Sequence, residues 1–179
     1  MDHNDLYQKL SLDKDLTTGF SILFSRFEYA LKQTGRYAKG DENEVKADWD
    51  KFARDHDSQF QSDSEKSPEL KAAIKYLKDK PPKKQTLKNG SLDWKDVPTQ
   101  NTPLLEQVLN AVRRVRDNLF HGGKFRNGPM EDPGRDSELL RSCIIVLEEC
   151  LSLNKGVYER FYHNEPGDNN SGHSLQTTT

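Results

Sequence analysis

The stretch TPLLEQVLNAVRRVRDNLFHGGK, Thr102–Lys124, decides the fold. Leu105, Val108, Val112, Val115 and Leu119 step by three and four, which lays one apolar seam along a helix. Thr102-Pro103 is a helix-start signature and Gly122-Gly123 a break. A helix with one apolar face must bury it against other elements, so the surrounding chain has to supply partners.

Working outward, the downstream partner is a helix expected to start near Asp136, with Leu140, Cys143, Leu147, Cys150 and Leu151 as its core stripe. Ile144, Ile145 and Val146 widen that stripe, as burial against more than one neighbour requires. Asn127–Asp136 reads as loop, and the tail from His163 onward has the composition of a disordered segment. Upstream, Asp5 suits the cap of a short helix carrying Leu6 and Leu10. A longer helix capped at Thr17 or Thr18 carries Phe20, Leu23, Phe24, Phe27, Ala30 and Leu31 and weakens at Gly35. A third is expected over Glu44–Asp55, with Val45, Trp49, Phe52 and Ala53 on one side. Ser58–Lys66 reads as loop. Ser67-Pro68-Glu69 then opens a short helix on Leu70, Ala73, Ile74 and Leu77. The Pro/Lys-rich connection 81–103 has no helical period. Asn89-Gly90 marks a tight turn there, suited to a small hairpin tip with Leu87, Leu92 and Trp94 tucked down. The expected architecture is all-α: an up-and-down bundle of four to five main helices in one domain over residues 1–163, followed by a disordered tail over 164–179.

Composition bounds the function. The chain has 179 residues, 32% hydrophobic and 31% charged, with net charge −2 and a sequence pI of about 6.2. That suits one domain with a modest core and argues against wholesale coating of nucleic acid, while leaving room for a local basic site. Cys143 and Cys150 are seven apart in an apolar run and read as small buried thiols of a reducing compartment. No zinc pattern surrounds them. Neither a signal peptide nor a membrane span is visible, so a cytoplasmic home is expected. There is no Gly-x-Ser-x-Gly, and Gly122-Gly123-Lys124 lacks the strand and glycine spacing of a P-loop. His3, His56, His163 and His173 sit in polar or terminal contexts. Trp49 and Trp94 read as packing residues, and Lys83 and Lys84 as a solvated loop with RNA contact as the alternative.

The chemistry concentrates at the end of the seam helix. Asp117 and His121 are four apart and share a face, so the carboxylate can hold the imidazole's tautomer. Arg113 lies one turn earlier and competes for that carboxylate. Arg116 and His121 are about 140° apart around an ideal helix. They converge only if the backbone turns at His121 or a second chain supplies the partner. A helix C-terminus repels phosphate, so any phosphate binding falls to the cations Arg113, Arg114, Arg116, Lys124 and Arg126. A histidine before a glycine pair also suits a plain helix cap, and the arginines around it a solvated face.

Arg116-Asp117-Asn118-Leu119-Phe120-His121 resembles the Arg-polar-x-x-x-His signature of the HEPN superfamily (higher eukaryotes and prokaryotes nucleotide-binding domain). As architecture the likeness covers most of residues 17–162; as a specific signature it covers only Arg116–Lys124. The Pro/Lys-rich segment does not match the general pattern. The resemblance implies a metal-independent endoribonuclease that needs no cofactor, set in a toxin–antitoxin pair or an anti-phage defence system. It also implies a homodimer in which two motifs meet, with RNA as ligand and an antitoxin or defence protein as further partner. Arg116 would hold the scissile phosphate, His121 would transfer protons and Asp117 would orient them. Asn118 is an additional candidate donor, and Arg113, Lys124 and Arg126 are candidate phosphate contacts from charge and proximity. The alternative is a non-catalytic HEPN-like module that binds RNA or nucleotide, or acts as a scaffold.

Overall fold

Asp13 opens the first helix of the computed structural model, which describes residues 13–98, 101–120 and 133–162. Its carboxylate accepts from the Leu16 backbone N–H at 3.0 Å, and its carbonyl accepts from Thr17 N–H at 3.0 Å. The helix α1 (Lys14–Gln33) therefore begins ahead of the expected caps Thr17 and Thr18, which lie inside it. Gly35, at φ +65, takes the left-handed position that ends it.

The chain next forms β1 (Ala38–Gly40) and β2 (Val45–Ala47), an antiparallel pair where a helix was expected to start at Glu44. The Asp41 carboxylate accepts from Asn43 N–H at 2.8 Å and Glu44 N–H at 3.2 Å, which closes the turn. At Gly40 (φ +139) a Cβ would lie 2.0 Å from the Glu44 carbonyl oxygen, so only glycine fits. Helix α2 (Trp49–Lys66) starts behind the Asp48 cap and runs through Ser58–Lys66, the expected loop. Phe60 explains the extension: it is fully buried on the face that also buries Phe52, Ala53 and Ser64.

Helix α3 (Pro68–Asp79) follows the sequence expectation, with the Ser67 hydroxyl accepting from Leu70 N–H at 3.2 Å and Leu70, Ala73, Ile74 and Leu77 buried. The Pro/Lys-rich connection contains a hairpin, β3 (Lys84–Lys88) with β4 (Ser91–Lys95). Asn89 (φ 51) and Gly90 (φ 77) form its tip, the mirror-image turn that suits strand twist. Leu87 and Leu92 are not tucked down. They pair across the tip at 77% and 61% exposure, because the two-stranded ribbon overhangs the helices and only its base reaches them.

Helix α4 (Leu104–Phe120) buries Leu105, Val108, Val112 and Val115, the expected seam, with Leu119 packed at its margin. Helix α5 (Pro133–Ser152) buries Leu140, Cys143, Val146, Leu147, Cys150 and Leu151, and both cysteines are free thiols. A separate helix, α6 (Lys155–Tyr162), follows where one continuous terminal helix was expected; the Asn154 side chain accepts from Val157 N–H at 3.0 Å and restarts the chain. The described chain is thus mostly α-helical, with two small antiparallel strand pairs: the β3–β4 hairpin suited to the Asn89-Gly90 turn, and the β1–β2 pair that was not expected.

Helix α5 packs on α1 and α3, α4 packs on α2, and α6 lies on α1. An aromatic row fills one end of the core: Trp49 stacks on Phe24 at 5.2 Å and sits 5.4 Å from Phe27, which meets Phe52 edge-on at 5.5 Å. Trp49 is a packing residue, as expected. The helix expected on Leu6 and Leu10, the glycine break with the loop after it as far as residue 132, and the tail from His163 fall outside the described residues. Pro133–Asp136, expected as the end of that loop, form the first turn of α5.

Candidate functional site

Helix α4 carries the motif on its last two turns, and its wheel separates the candidate residues. Arg116 and Asn118 are two apart, about 200° around the axis, and lie at opposite edges of the buried face.

On the Arg116 edge, the guanidinium lies 5.4 Å from the Phe24 ring and 5.4 Å from the Phe120 ring. Phe24 is buried and backed by Trp49, so one side of that seat is rigid. Arg116 Nη1 donates to the Asp117 carboxylate at 3.0 Å. The guanidinium has five N–H donors. No other hydrogen bond to it exists among the described residues, and its side chain is 38% exposed. Arg113 does not compete for Asp117. It donates to the Asn110 side chain at 3.3 Å and lies 3.6 Å from Asp50 at the start of α2. Asp117 is exposed, and Arg116 is its one ion-pair partner among the described residues.

On the opposite edge the side chains serve the fold. Asn118 is buried and donates its amide to the Lys83 carbonyl at 2.9 Å. Arg114 donates to the Pro82 carbonyl at 3.3 Å, and Arg135 of α5 donates to the Pro81 carbonyl at 3.0 Å. Three consecutive carbonyls at the root of the β3–β4 hairpin are thus held by three side chains. Burial pushes the Arg114 guanidinium below its ordinary pKa, opposed by Asp117. Asn118, a candidate RNA donor by position, has this donor committed to Lys83. The structure brings Arg116 and Asp117 together and turns Asn118 away from them. His121, Lys124 and Arg126 lie outside the described residues.

A second polar centre joins three distant segments. His56 Nε2 lies 2.9 Å from the Tyr37 hydroxyl and 3.3 Å from the Asn154 amide nitrogen, which is itself 3.4 Å from the hydroxyl. An amide nitrogen can only donate, so Nε2 is the accepting nitrogen and the ring proton sits on Nδ1. Burial pulls the His56 imidazole below its ordinary pKa; Asp55 opposes this and Arg36 reinforces it. Burial likewise pushes the Tyr37 phenol up. Asn154 had no role in the sequence reading, although asparagine just after an apolar run is a helix-capping residue type. His56 and Asn154 are 98 residues apart, and no local pattern in the sequence pairs them.

No group of three or more His, Cys, Asp or Glu among the described residues is placed to hold a metal ion, and no helix among them is long and apolar enough to cross a membrane. No family model matches the chain, and comparison with curated proteins and with solved structures finds no match.

Proposed function

We propose that the protein is a metal-independent endoribonuclease of HEPN type, built as a helical bundle that dimerises so that two Arg116–His121 motifs face one RNA strand. The observation that carries this reading is Arg116. Its guanidinium carbon lies 5.4 Å from the ring centres of Phe24 and Phe120, one N–H is tied to Asp117, and among the described residues its other donors meet no acceptor while the side chain stays partly exposed. A guanidinium fixed in that way can present parallel donors to a phosphate.

The chemistry follows from the residue types. The His121 imidazole of one protomer takes the proton from a ribose 2′-hydroxyl. The 2′-oxygen attacks phosphorus, Arg116 stabilises the charge on the phosphorane, and the 5′-oxygen leaves with a proton from the second protomer's imidazolium. The products are a 2′,3′-cyclic phosphate and a 5′-hydroxyl. The setting proposed is cytoplasmic, in a toxin–antitoxin pair or an anti-phage defence system.

The test is cleavage of tRNA and mRNA by purified wild type, Arg116→Ala and His121→Ala, with folding checked by circular dichroism. Wild type should cut in EDTA and leave cyclic phosphate ends. Each variant should lose about 10²-fold or more in rate with its fold retained. Intact RNA after incubation with wild type, alongside measurable RNA binding, would move the assignment to a non-catalytic RNA-binding module.

A further inference from the structure

The β3–β4 hairpin has two unlike faces, set by strand alternation and register. Lys84, Thr86 and Lys88 share one face with Ser91, Asp93 and Lys95; Gln85 and Leu87 share the other with Leu92 and Trp94. On the first face Lys84 stands directly opposite Lys95, and Lys88 projects near the tip. Like charges directly opposite destabilise a ribbon. These three lysines make no ion pair among the described residues, whereas Lys39, Lys46, Lys66, Lys71, Lys75 and Lys155 do and Lys32, Lys51, Lys78 and Lys83 do not; what sets the three apart is that they share one ribbon face. Asp93 is the single carboxylate on that face. The ribbon carries an uncompensated positive charge in a chain whose net charge is −2.

The hairpin's position connects this charge to the motif. Its root is held to the last two turns of α4 by Arg114 and Asn118, the side chains that clasp the Pro82 and Lys83 carbonyls. Arg116 lies on the far side of the same turns, so the distance from hairpin root to guanidinium is about one helix diameter, ~10–12 Å. Charge complementarity selects a polyanion, and the proximity to Arg116 selects the one whose phosphate Arg116 would hold.

We propose that the lysine face of the β3–β4 hairpin, Lys84, Lys88 and Lys95, is an RNA-backbone guide that grips a single strand flanking the cut site and leads it around the end of α4 to Arg116. The proposal rests on the ribonuclease reading for the identity of its ligand. The leucine face takes no part: Leu87 and Leu92 pair with each other across the tip.

The test measures binding of a labelled 20-nucleotide polyuridylate to full-length His121→Ala protein, which keeps the strand uncut. Lys84→Gln, Lys88→Gln and Lys95→Gln are added together. The triple variant should weaken binding about ten-fold or more near physiological salt. It should also lower the slope of log K against log salt by about two, since each phosphate neutralised on a single strand contributes ~0.7 to that slope. Leu87→Ser with Leu92→Ser should change neither, and circular dichroism should show the triple variant folded. Unchanged affinity and slope in the triple variant, or equal displacement of the RNA by polyglutamate of matched charge, would overturn the guide. The parent reading fails separately. If wild type cuts no RNA while the lysine-dependent binding persists, the lysine face stands as an RNA-backbone contact and the nuclease falls. If wild type cuts RNA and the triple variant binds and cuts equally well, the reverse holds.

Discussion

Arg116 and His56 illustrate two ways of holding a polar side chain. Arg116 is held by aromatic faces, which restrict the guanidinium while leaving its N–H edge available. His56 is held by hydrogen bonds, with Nε2 accepting from Tyr37 and Asn154, and this arrangement requires an unprotonated nitrogen. The second case has a pH consequence. The unfolded chain takes up the His56 proton near the ordinary value of 6.5, whereas the folded protein takes it up only at lower pH because burial disfavours the charge. Between those two points the unfolded state binds more protons. Stability is therefore full above 6.5 and declines as pH falls, until the folded imidazole protonates as well. The lowered carboxylates Asp41, Asp48 and Asp55 act only in more acid solution. Thermal unfolding should show a falling Tm from about pH 7 to about pH 5 in wild type and a shallower fall in His56→Gln. Parallel slopes in the two proteins would place the titration on another group. Spacing along one helix gave Asp117 the partners His121 and Arg113, and the structure instead puts Arg116 on its carboxylate; the His56 centre depends on a contact across 98 residues.

At the scale of elements, the Pro/Lys-rich connection is a ribbon on a clamped root. Its tip was legible from Asn89-Gly90, since two adjacent positive-φ positions need those residue types. Its overhang was not, because period-two apolar placement gives Leu87 and Leu92 a common face without saying whether anything covers it. Asn118 is the joint. Replacing it with alanine removes the amide that meets the Lys83 carbonyl. Lys83 is exposed, so water takes the vacated place and the loss should be about 0.5–1.5 kcal/mol in urea unfolding. Amide exchange across Lys84–Lys95 should quicken, and cleavage at saturating RNA should persist. A cleavage defect with unaltered hairpin exchange would instead make Asn118 an RNA contact. Helix α2 shows the opposite kind of surprise. Ser58–Lys66 is polar enough to pass for a loop, yet the single buried ring of Phe60 keeps the helix on the core.

For the whole molecule, the core runs from the Phe24–Trp49–Phe27 row through α4 to the face of α5 that buries both thiols. Burial pushes both cysteine thiols well above the ordinary range, so neither supplies thiolate in the folded state. Both lie at 0% exposure between packed helices, which makes them reporters of global opening. A thiol-reactive reagent should label neither in native protein and both in urea, with labelling rates that track unfolding measured by circular dichroism. Rapid labelling of the native protein would show that α5 opens independently of the rest.

The sequence by itself determined what is periodic or local. The seam of α4, the Ser67 start of α3, the Asn89-Gly90 tip and the buried cysteines each follow from spacings of a few residues along one backbone. Tertiary structure alone decided the rest. It extended α2 through Phe60, turned Val45–Ala47 into a strand, split α6 from α5 at Asn154, sent Arg113 to Asp50 and turned Asn118 to the hairpin root. The physical reason is common to all of these. A side chain's partner is the nearest group that satisfies its charge, donor or apolar surface after the helices have packed, and packing brings together residues whose separation along the chain carries no pattern.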